Sequence, residues 1–185
     1  MKIAYLKKTT TALLLGLFVG LLALPTPGRA AALTDFAENK IVDWLLRGQA
    51  IGITGASAGA GTGVSNTYFG LLTASCSDSA AGTEVTGGSY ARVTYAGSLA
   101  NWAGTQSAGS TTASSGTGGT TSNNAVITFP APTANWGVVT HIGVYDATSA
   151  GNQIVCVALT TRKTINNGDA APSFAIGAFT FQQDN

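Results

Sequence analysis

The fold is decided by residues 125–146, which read AVITFPAPTANWGVVTHIGVYD. Apolar and β-branched residues stand on both sides of a Pro-Ala-Pro stretch, and this pattern predicts two β-strands joined by a proline-containing turn. The segment contains the only histidine of the chain, His141, and no cluster of titratable residues surrounds it. Because acid–base and nucleophilic catalysis need such a cluster, we expect a scaffold or binding protein rather than an enzyme.

Other strands are predicted on both sides of this stretch. They read TYFGLLTASC at 67–76, SYARVTY at 89–95, QIVCVALTTRKTI at 153–165 and SFAIGAFTF at 173–181. Turn-forming residues separate them. About seven short strands with turns between them predict an all-β fold, an antiparallel β-sandwich or jelly-roll-like domain.

Residues 1–32 differ in kind from the rest of the chain. Lys2, Lys7 and Lys8 precede an uncharged apolar segment at 12–24, and small residues follow at 30–32. This order is typical of a secretory signal peptide cleaved near 30–32, and a false upstream start of translation is the alternative. The apolar segment is shorter than the roughly twenty residues of a membrane-spanning helix, so we expect no stable membrane span after leader removal.

Residues 33–185 have the length of one domain with its own hydrophobic core. They contain five basic and eight acidic residues, which gives a formal charge of −3. Because five scattered cations cannot form a patch that neutralises many phosphates, we expect no nucleic-acid binding. Charged residues make up only 9% of the chain, so serine, threonine, asparagine and glycine must cover much of the surface.

One short amphipathic helix is predicted at 34–48, before the β domain. Thr34 is suited to cap its start, Arg47 suits the negative end of the helix dipole, and Gly48 is a natural stop. Four apolar residues recur near the helical period and form a candidate assembly face: Phe36, Ile41, Trp44 and Leu45. We expect this face to dock either on the sheet, as a lid over the core, or on a neighbouring subunit.

A low-complexity segment rich in glycine, serine and threonine occupies 103–124. Such a composition can bury little apolar area, so we expect an extended or mobile loop. Long loops in compact domains are often sites of function.

The chain has two cysteines, Cys76 and Cys156, and both fall at or near predicted strands. Export would permit a disulfide between them, which would stabilise the fold by about 2–4 kcal/mol. The alternative is two small buried thiols. Two cysteines and one histidine without close ligand spacing do not suggest a metal site.

Two motifs that could indicate chemistry are weak. A G-x-S-x-G pattern is centred on Ser57, but no helix pattern follows it as an α/β-hydrolase would need, so we expect no serine nucleophile. The same tract has no lysine after its glycines, which excludes a P-loop. His141 lies on a predicted strand and shares a face with Val139 and Gly143, so we expect a structural role for it.

Acidic and aromatic residues also favour structural roles. Asp146 is suited to start a turn by accepting hydrogen bonds from backbone amides two residues on. Trp102 and Trp136 are expected in the core or an interface rather than at a sugar-stacking site. The acids that could bind calcium are Asp78, Glu84, Asp146 and Asp169. No EF-hand-like spacing links them, and we expect no cofactor or metal.

Six segments, taken in their order along the chain, resemble the segments of a known family. They are LTDFAENKIVDWLLRG at 33–48, TYFGLLT at 67–73, GGSYARV at 87–93, VITFPA at 126–131, WGVVTHIGVYD at 136–146 and ALTTRKTINNGD at 158–169. The span from Leu33 to Phe181 thereby resembles small bacteriophage virion proteins described as tail-fibre or capsid-decoration proteins. The leader and the length of 103–124 depart from the family pattern.

The resemblance implies a non-enzymatic structural protein of a bacteriophage particle, located in the virion as a tail-fibre-like or capsid-decoration subunit. The implied partners are further copies of the chain, as in a trimer, other virion proteins and a host-surface glycan. The family supplies no catalytic, cofactor-binding or metal-binding residues. The alternative is a secreted bacterial cell-surface adhesin or an extracellular filament subunit.

Overall fold

The structure is a computed structural model that describes residues 33–52, 62–77 and 79–183. The predicted leader at 1–32, Ser57 and Asp78 lie outside the described residues. Ala32–Asn185 forms one compact unit. The division of the chain into a leader and a single β domain stays a prediction.

Regular structure in the described residues consists of one helix and eight strands. In chain order they are α1 (Asp35–Leu45), β1 (Asn66–Leu72), β2 (Val93–Ala96), β3 (Thr120–Ser122), β4 (Ile127–Thr128), β5 (Gly137–Tyr145), β6 (Gln153–Ile165), β7 (Ser173–Phe174) and β8 (Thr180–Gln182). All the strand pairs are antiparallel. The prediction of an all-β fold preceded by one short helix is confirmed, and β6 has the predicted bounds.

A four-stranded sheet in the order β2-β1-β5-β6 forms the centre of the fold. In β1, Phe69 lies opposite Val93 of β2 on one side and Val144 of β5 on the other. The two strands of the 125–146 stretch do not pair with each other, because β4 pairs with β7 while β5 pairs with β1 and β6. The proline-containing turn therefore carries the chain from a small sheet to the large one.

The core joins the large sheet to the two small sheets, β3–β8 and β4–β7. Its centre is aromatic, since the Phe69 ring lies 5.9 Å from the Trp102 ring and 5.0 Å from the Phe179 ring. Trp102 is fully buried and Trp136 is 5% exposed, so both tryptophans lie in the core, one of the two places predicted for them. Burial of these large rings provides much of the apolar area that stabilises the fold.

The strand predicted at 89–95 begins only at Val93. The chain before it turns tightly, because Gly87, Gly88 and Ser89 adopt φ angles of 74°, 55° and 63°. Such left-handed backbone is incompatible with a strand. The strand prediction for 89–95 is therefore wrong before Val93, where Tyr90 and Arg92 instead contact Glu84.

Residues 103–124, called the Gly/Ser/Thr segment from this point, are folded onto the domain. The end of the segment forms β3, which pairs with β8, and Thr121 and Asn123 are buried. The expectation of an extended loop is wrong, because it considered only apolar burial, and the alternative of a mobile loop stays a prediction. The polar groups of the segment form hydrogen bonds with α1 and with Arg47, which lies two residues after the helix.

Candidate interaction surfaces

Helix α1 begins directly after Thr34, the residue predicted to cap it. The Thr34 hydroxyl accepts a hydrogen bond from the Ala37 amide at 3.4 Å, which satisfies one free amide of the first turn. The helix ends at Leu45, earlier than the predicted 48. Gly48, with φ of 69°, then redirects the chain, and a Cβ at this position would clash with the carbonyl oxygen of Gly97.

The side of α1 that faces the protein is mainly polar. Its buried residues are Glu38, Asn39, Val42 and Asp43. The apolar face predicted from the sequence is split, since Leu45 packs partly against the core and Ile41 is half-buried, while Phe36 and Trp44 are exposed. The expectation that this face lies on the sheet is wrong for Phe36 and Trp44. Its role in assembly stays a prediction.

Arg47 follows α1 and is fully buried. Its Nη1 lies 2.6 Å from Asp43 Oδ1, forming an ion pair one helical turn apart. The guanidinium also donates to the carbonyl oxygens of Trp102 and Thr112, at 3.1 Å and 2.5 Å, and to the Ser114 hydroxyl at 2.9 Å. A buried charge is tolerated only with such pairing. Arg47, predicted only to suit the negative end of the helix dipole, is thus an anchor for the Gly/Ser/Thr segment.

Asn39 provides a second attachment for the same segment. Its side-chain nitrogen donates to the Gly116 carbonyl oxygen at 2.9 Å, and its side-chain oxygen accepts a hydrogen bond from the Thr105 hydroxyl at 2.5 Å. A segment of small polar residues needs partners for its backbone when it packs on a domain. The polar face of α1 supplies them.

Three exposed apolar side chains on and just before α1 form a surface, the helix stripe, made of Leu33, Phe36 and Trp44. These side chains are 43%, 58% and 36% exposed, respectively. The Lys40 ammonium lies 5.8 Å from the centroid of the Phe36 ring, so one positive charge stands within the stripe. Several large apolar side chains left in water on one short segment are typical of interaction sites.

An open groove, the β6 groove, lies between β6 and the segment 170–180. Its volume is about 660 Å³. The lining is largely apolar and reaches the core, with Leu71, Val139, Ile142, Leu159, Phe174 and Phe179 among its residues. A groove of this size and composition is suited to receive apolar side chains of a partner.

A bulge in β6 lies along this groove. Val139 of β5 pairs with Lys163, but His141, two residues further on, pairs with Ala158. Residues 159–162 therefore have only Thr140 opposite them, and extra residues of this kind bend a strand locally. β6 is also the end strand of its sheet, and no strand in the described part of the chain pairs with its outer edge.

A polar cluster packs against Gly70 of β1, away from the groove. Arg92 donates to both carboxylate oxygens of Glu84, at 2.8 Å and 2.7 Å, and lies 3.5 Å from the centroid of the Tyr145 ring. The Tyr90 hydroxyl donates to Glu84 at 2.7 Å, and burial together with this hydrogen bond raises the pKa of Tyr90. A Cβ at Gly70 would lie 2.8 Å from the Glu84 carboxylate. These groups hold one another in place, which indicates a structural role.

The cysteines Cys76 and Cys156 are joined in a disulfide, with their Cα atoms 6.5 Å apart. This separation is within the range that disulfides occupy. The bond links the segment that follows β1 to β6, across a sequence separation of 80 residues. Its formation in the mature protein stays a prediction.

With this geometry in place, comparison with protein families gives a decisive match. The family described as Podophage GP4 fiber I protein gp80 matches residues 32–182. The chain belongs to this family. A comparison with curated proteins found no match. The resemblance to small phage virion proteins is confirmed, and membership in a phage fibre family supports a structural role in the virion.

His141, the one histidine of this fibre-family chain, makes a local contact. His141 is half-buried, and its Nδ1 lies 2.8 Å from the Thr140 hydroxyl, within the strand. In the residues that the structure describes, no group of three or more histidine, cysteine, aspartate and glutamate side chains could hold a metal ion. The same residues include no helix long and apolar enough to cross a membrane.

Asp146 forms a turn by a different route from the one predicted. Its carboxylate accepts hydrogen bonds from the Asn152 backbone amide at 2.7 Å and the Asn152 side chain at 2.8 Å, rather than from amides two residues on. These bonds lower the pKa of Asp146. The interaction closes the turn between β5 and β6.

Two features of these surfaces, the polar cluster and the β6 groove, are absent from the sequence predictions. The polar cluster was recognisable from Gly70, because a glycine inside a strand often marks the close approach of another group. The β6 groove left no sequence signal, since its lining comes from segments far apart in the chain.

Proposed function

We propose that this chain is a non-enzymatic structural subunit of a phage fibre that assembles with copies of itself. The family match over 32–182 carries the proposal. Two surfaces support the self-assembly part of it, the helix stripe and the β6 groove, because both leave apolar area in water. Burial of such area in a contact between subunits would stabilise an assembly.

The low charge of the chain also supports self-association. Charged residues are 9% of the sequence, and two of the charged pairs, Arg47 with Asp43 and Arg92 with Glu84, are internal. Copies of such a chain repel one another only weakly. Few exposed charges would have to lose water when subunits meet.

Binding to the host surface is the second part of the proposed function. Repeated copies in a fibre would give avidity to contacts that are weak one at a time. Neither Trp102 nor Trp136 presents a ring to solvent, so a host glycan would be bound by other residues. Trp44 is the exposed indole of the chain, and it belongs to the helix stripe.

An exported surface adhesin or filament subunit is the second candidate. The signal-like order of residues 1–32 favours it, and so does the Cys76–Cys156 disulfide, because disulfides persist in oxidising compartments. Self-assembly is common to both candidates. They differ in the particle that contains the protein.

Mass spectrometry of purified particles separates the two candidates. We expect peptides of the chain in phage particles that also contain capsid and tail proteins, with an N-terminus near 30–33. Antibody labelling should then place the protein on fibres in electron micrographs. The same N-terminus in cell-derived filaments without phage proteins would overturn the virion proposal in favour of the exported protein.

Light scattering on the purified full chain tests self-assembly. We expect a mass that is a multiple of the monomer mass and that falls on dilution. A monomer at every concentration would overturn this part of the proposal while leaving the family membership intact.

A further inference from the structure

We propose that the helix stripe of one copy docks in the β6 groove of the next copy. This inference deepens the proposed function, since it rests on self-assembly and identifies the two surfaces that meet. The contact is heterologous, because each subunit contributes a different surface. Contacts of this type close into a ring or continue as a filament.

The helix stripe has the form of a ligand for a groove. Phe36 and Trp44 are exposed two helical turns apart on α1, and the exposed Leu33 precedes its cap, so the stripe offers apolar anchors as groove-binding helices do. The opposite side of α1 is fixed by Asn39 and by the buried Arg47. The stripe is therefore held in place before binding, which lowers the entropy cost of association.

The β6 groove has matching chemistry. Phe174 and Phe179 line one side, Leu159 belongs to the bulged strand on the other, and core residues line the remainder. Two aromatic rings of the stripe would meet aromatic and aliphatic partners there, the arrangement found at strongly binding positions of interfaces.

Unpaired charges beside the two surfaces are complementary. Asp35 begins α1 next to the stripe, and Arg162 and Lys163 are exposed beside the groove. Lys40 lies within the stripe, and Asp169 precedes the residues that line the groove at 170–174. Neither of the ion pairs in the described structure includes any of these five residues. An acid and a base on each surface allow two new pairs across the contact.

A contact between two helix stripes is less favourable, because it covers only one of the two apolar surfaces. It would leave the β6 groove of each copy open to water. A stripe in a groove covers both apolar surfaces with one type of contact. The free energy gained from apolar burial is therefore larger in the heterologous arrangement.

The experiment uses three variants of the full chain at exposed positions. Phe36→Asp places a charge in the stripe, and Ala178→Arg places a large charged side chain in the groove. Val126→Asp is the matched control, because Val126 is 53% exposed and belongs to neither surface. Near-UV circular dichroism and thermal unfolding check that each variant is folded.

Sedimentation velocity then measures assembly of each variant alone and of mixtures. We expect loss of assembly for Phe36→Asp alone and for Ala178→Arg alone, and wild-type assembly for Val126→Asp. An equimolar mixture of the first two variants should form dimers, because the intact groove of one can bind the intact stripe of the other.

Trp44 fluorescence gives an independent measurement of the same contact. The other two tryptophans are buried, so quenching by acrylamide in the monomer reports mainly on Trp44. We expect this quenching to decrease when the wild-type chain assembles and in the mixture of Phe36→Asp with Ala178→Arg. Unchanged quenching on assembly would overturn the inference.

The outcomes separate this inference from the proposed function. If Ala178→Arg assembles like the wild type, the groove is not the receptor and the inference is overturned, while self-assembly stands. If the mixture of the two variants stays monomeric although the wild type assembles, the inference is likewise overturned. A monomeric wild-type chain would overturn both.

Discussion

Two irregular segments pack on this domain, and each is held by an arginine in a different way. The Gly/Ser/Thr segment, 103–124, is held by Arg47, which is fully buried and forms an ion pair with Asp43. The described residues of 73–92 are held by Arg92, whose partner Glu84 is 23% exposed, and also by the Cys76–Cys156 disulfide. The first segment is attached by noncovalent contacts, with Arg47 and Asn39 among them, whereas the second has a covalent link in addition.

This difference predicts unequal consequences when single contacts are removed. A fully buried charge has no access to water, so the loss of its partner cannot be compensated by solvent. A partly exposed carboxylate can regain water. Removal of Arg47 should therefore affect stability more than removal of Arg92.

The largest effect is expected for Arg47→Met. The variant leaves the Asp43 carboxylate buried without its ion pair and removes hydrogen bonds to Trp102, Thr112 and Ser114, so we expect about 3–5 kcal/mol of destabilisation. Urea unfolding measures it. The control is Arg162→Met, at an exposed position without an ion pair. A cost equal to that of the control would contradict the role of Arg47 as an anchor.

Replacing both cysteines should have the second-largest effect. The bond closes a long loop, so Cys76→Ser with Cys156→Ser should destabilise the fold by about 2–4 kcal/mol. The measurement is urea unfolding of this variant beside the wild type under oxidising and reducing conditions. Wild-type protein that is alkylated at both cysteines without prior reduction would show that the disulfide is absent.

Arg92→Met should cost less, about 1–2 kcal/mol, because water can reach Glu84 in part. The comparison becomes sharper without the disulfide. In the Cys-to-Ser background the same substitution should cost more, since Arg92, through the Ala147 and Ala150 carbonyl oxygens, would then be one of fewer attachments of 73–92. A double-mutant cycle measures this coupling, and additive costs would show that the two attachments act independently.

The sequence predicted the elements whose signal is local. The strand at 153–165, the cap at Thr34 and the turn residues around 125–146 all depend on neighbours in the chain, and the structure has them. The boundary at Val93 was missed because three consecutive residues with positive φ precede the polar cluster, and one of them, Ser89, is not a glycine.

The orientation of α1 was not predictable from apolar periodicity alone. Periodicity identifies an apolar face but does not show whether that face contacts the same chain or another one. Asn39, Asp43 and Arg47 recur every fourth residue, and this polar spacing was the available signal for the buried side. It becomes informative only together with a nearby segment, rich in glycine and serine, that needs hydrogen-bond partners.

The smallest effect concerns the dependence of stability on pH, to which three buried or partly buried tyrosines contribute. Burial and the hydrogen bond to Glu84 raise the pKa of Tyr90 above its ordinary value, and burial also raises the pKa of Tyr95 and Tyr145. The unfolded chain therefore loses these protons first as the pH rises above about 10, while the folded chain keeps them. The stability associated with these groups is present below pH 10 and decreases with further rise.

Tyr90→Phe tests the share of this decrease that belongs to Tyr90. The variant lacks the hydroxyl that donates to Glu84 and accepts from the Leu71 amide, so its stability at neutral pH should already be lower. The informative quantity is the slope of the unfolding free energy between neutral and alkaline pH, which should be shallower in Tyr90→Phe than in the wild type. Equal slopes would mean that Tyr90 titrates alike in the folded and unfolded chains, and the polar cluster would then be less protected from water than its hydrogen bonds indicate.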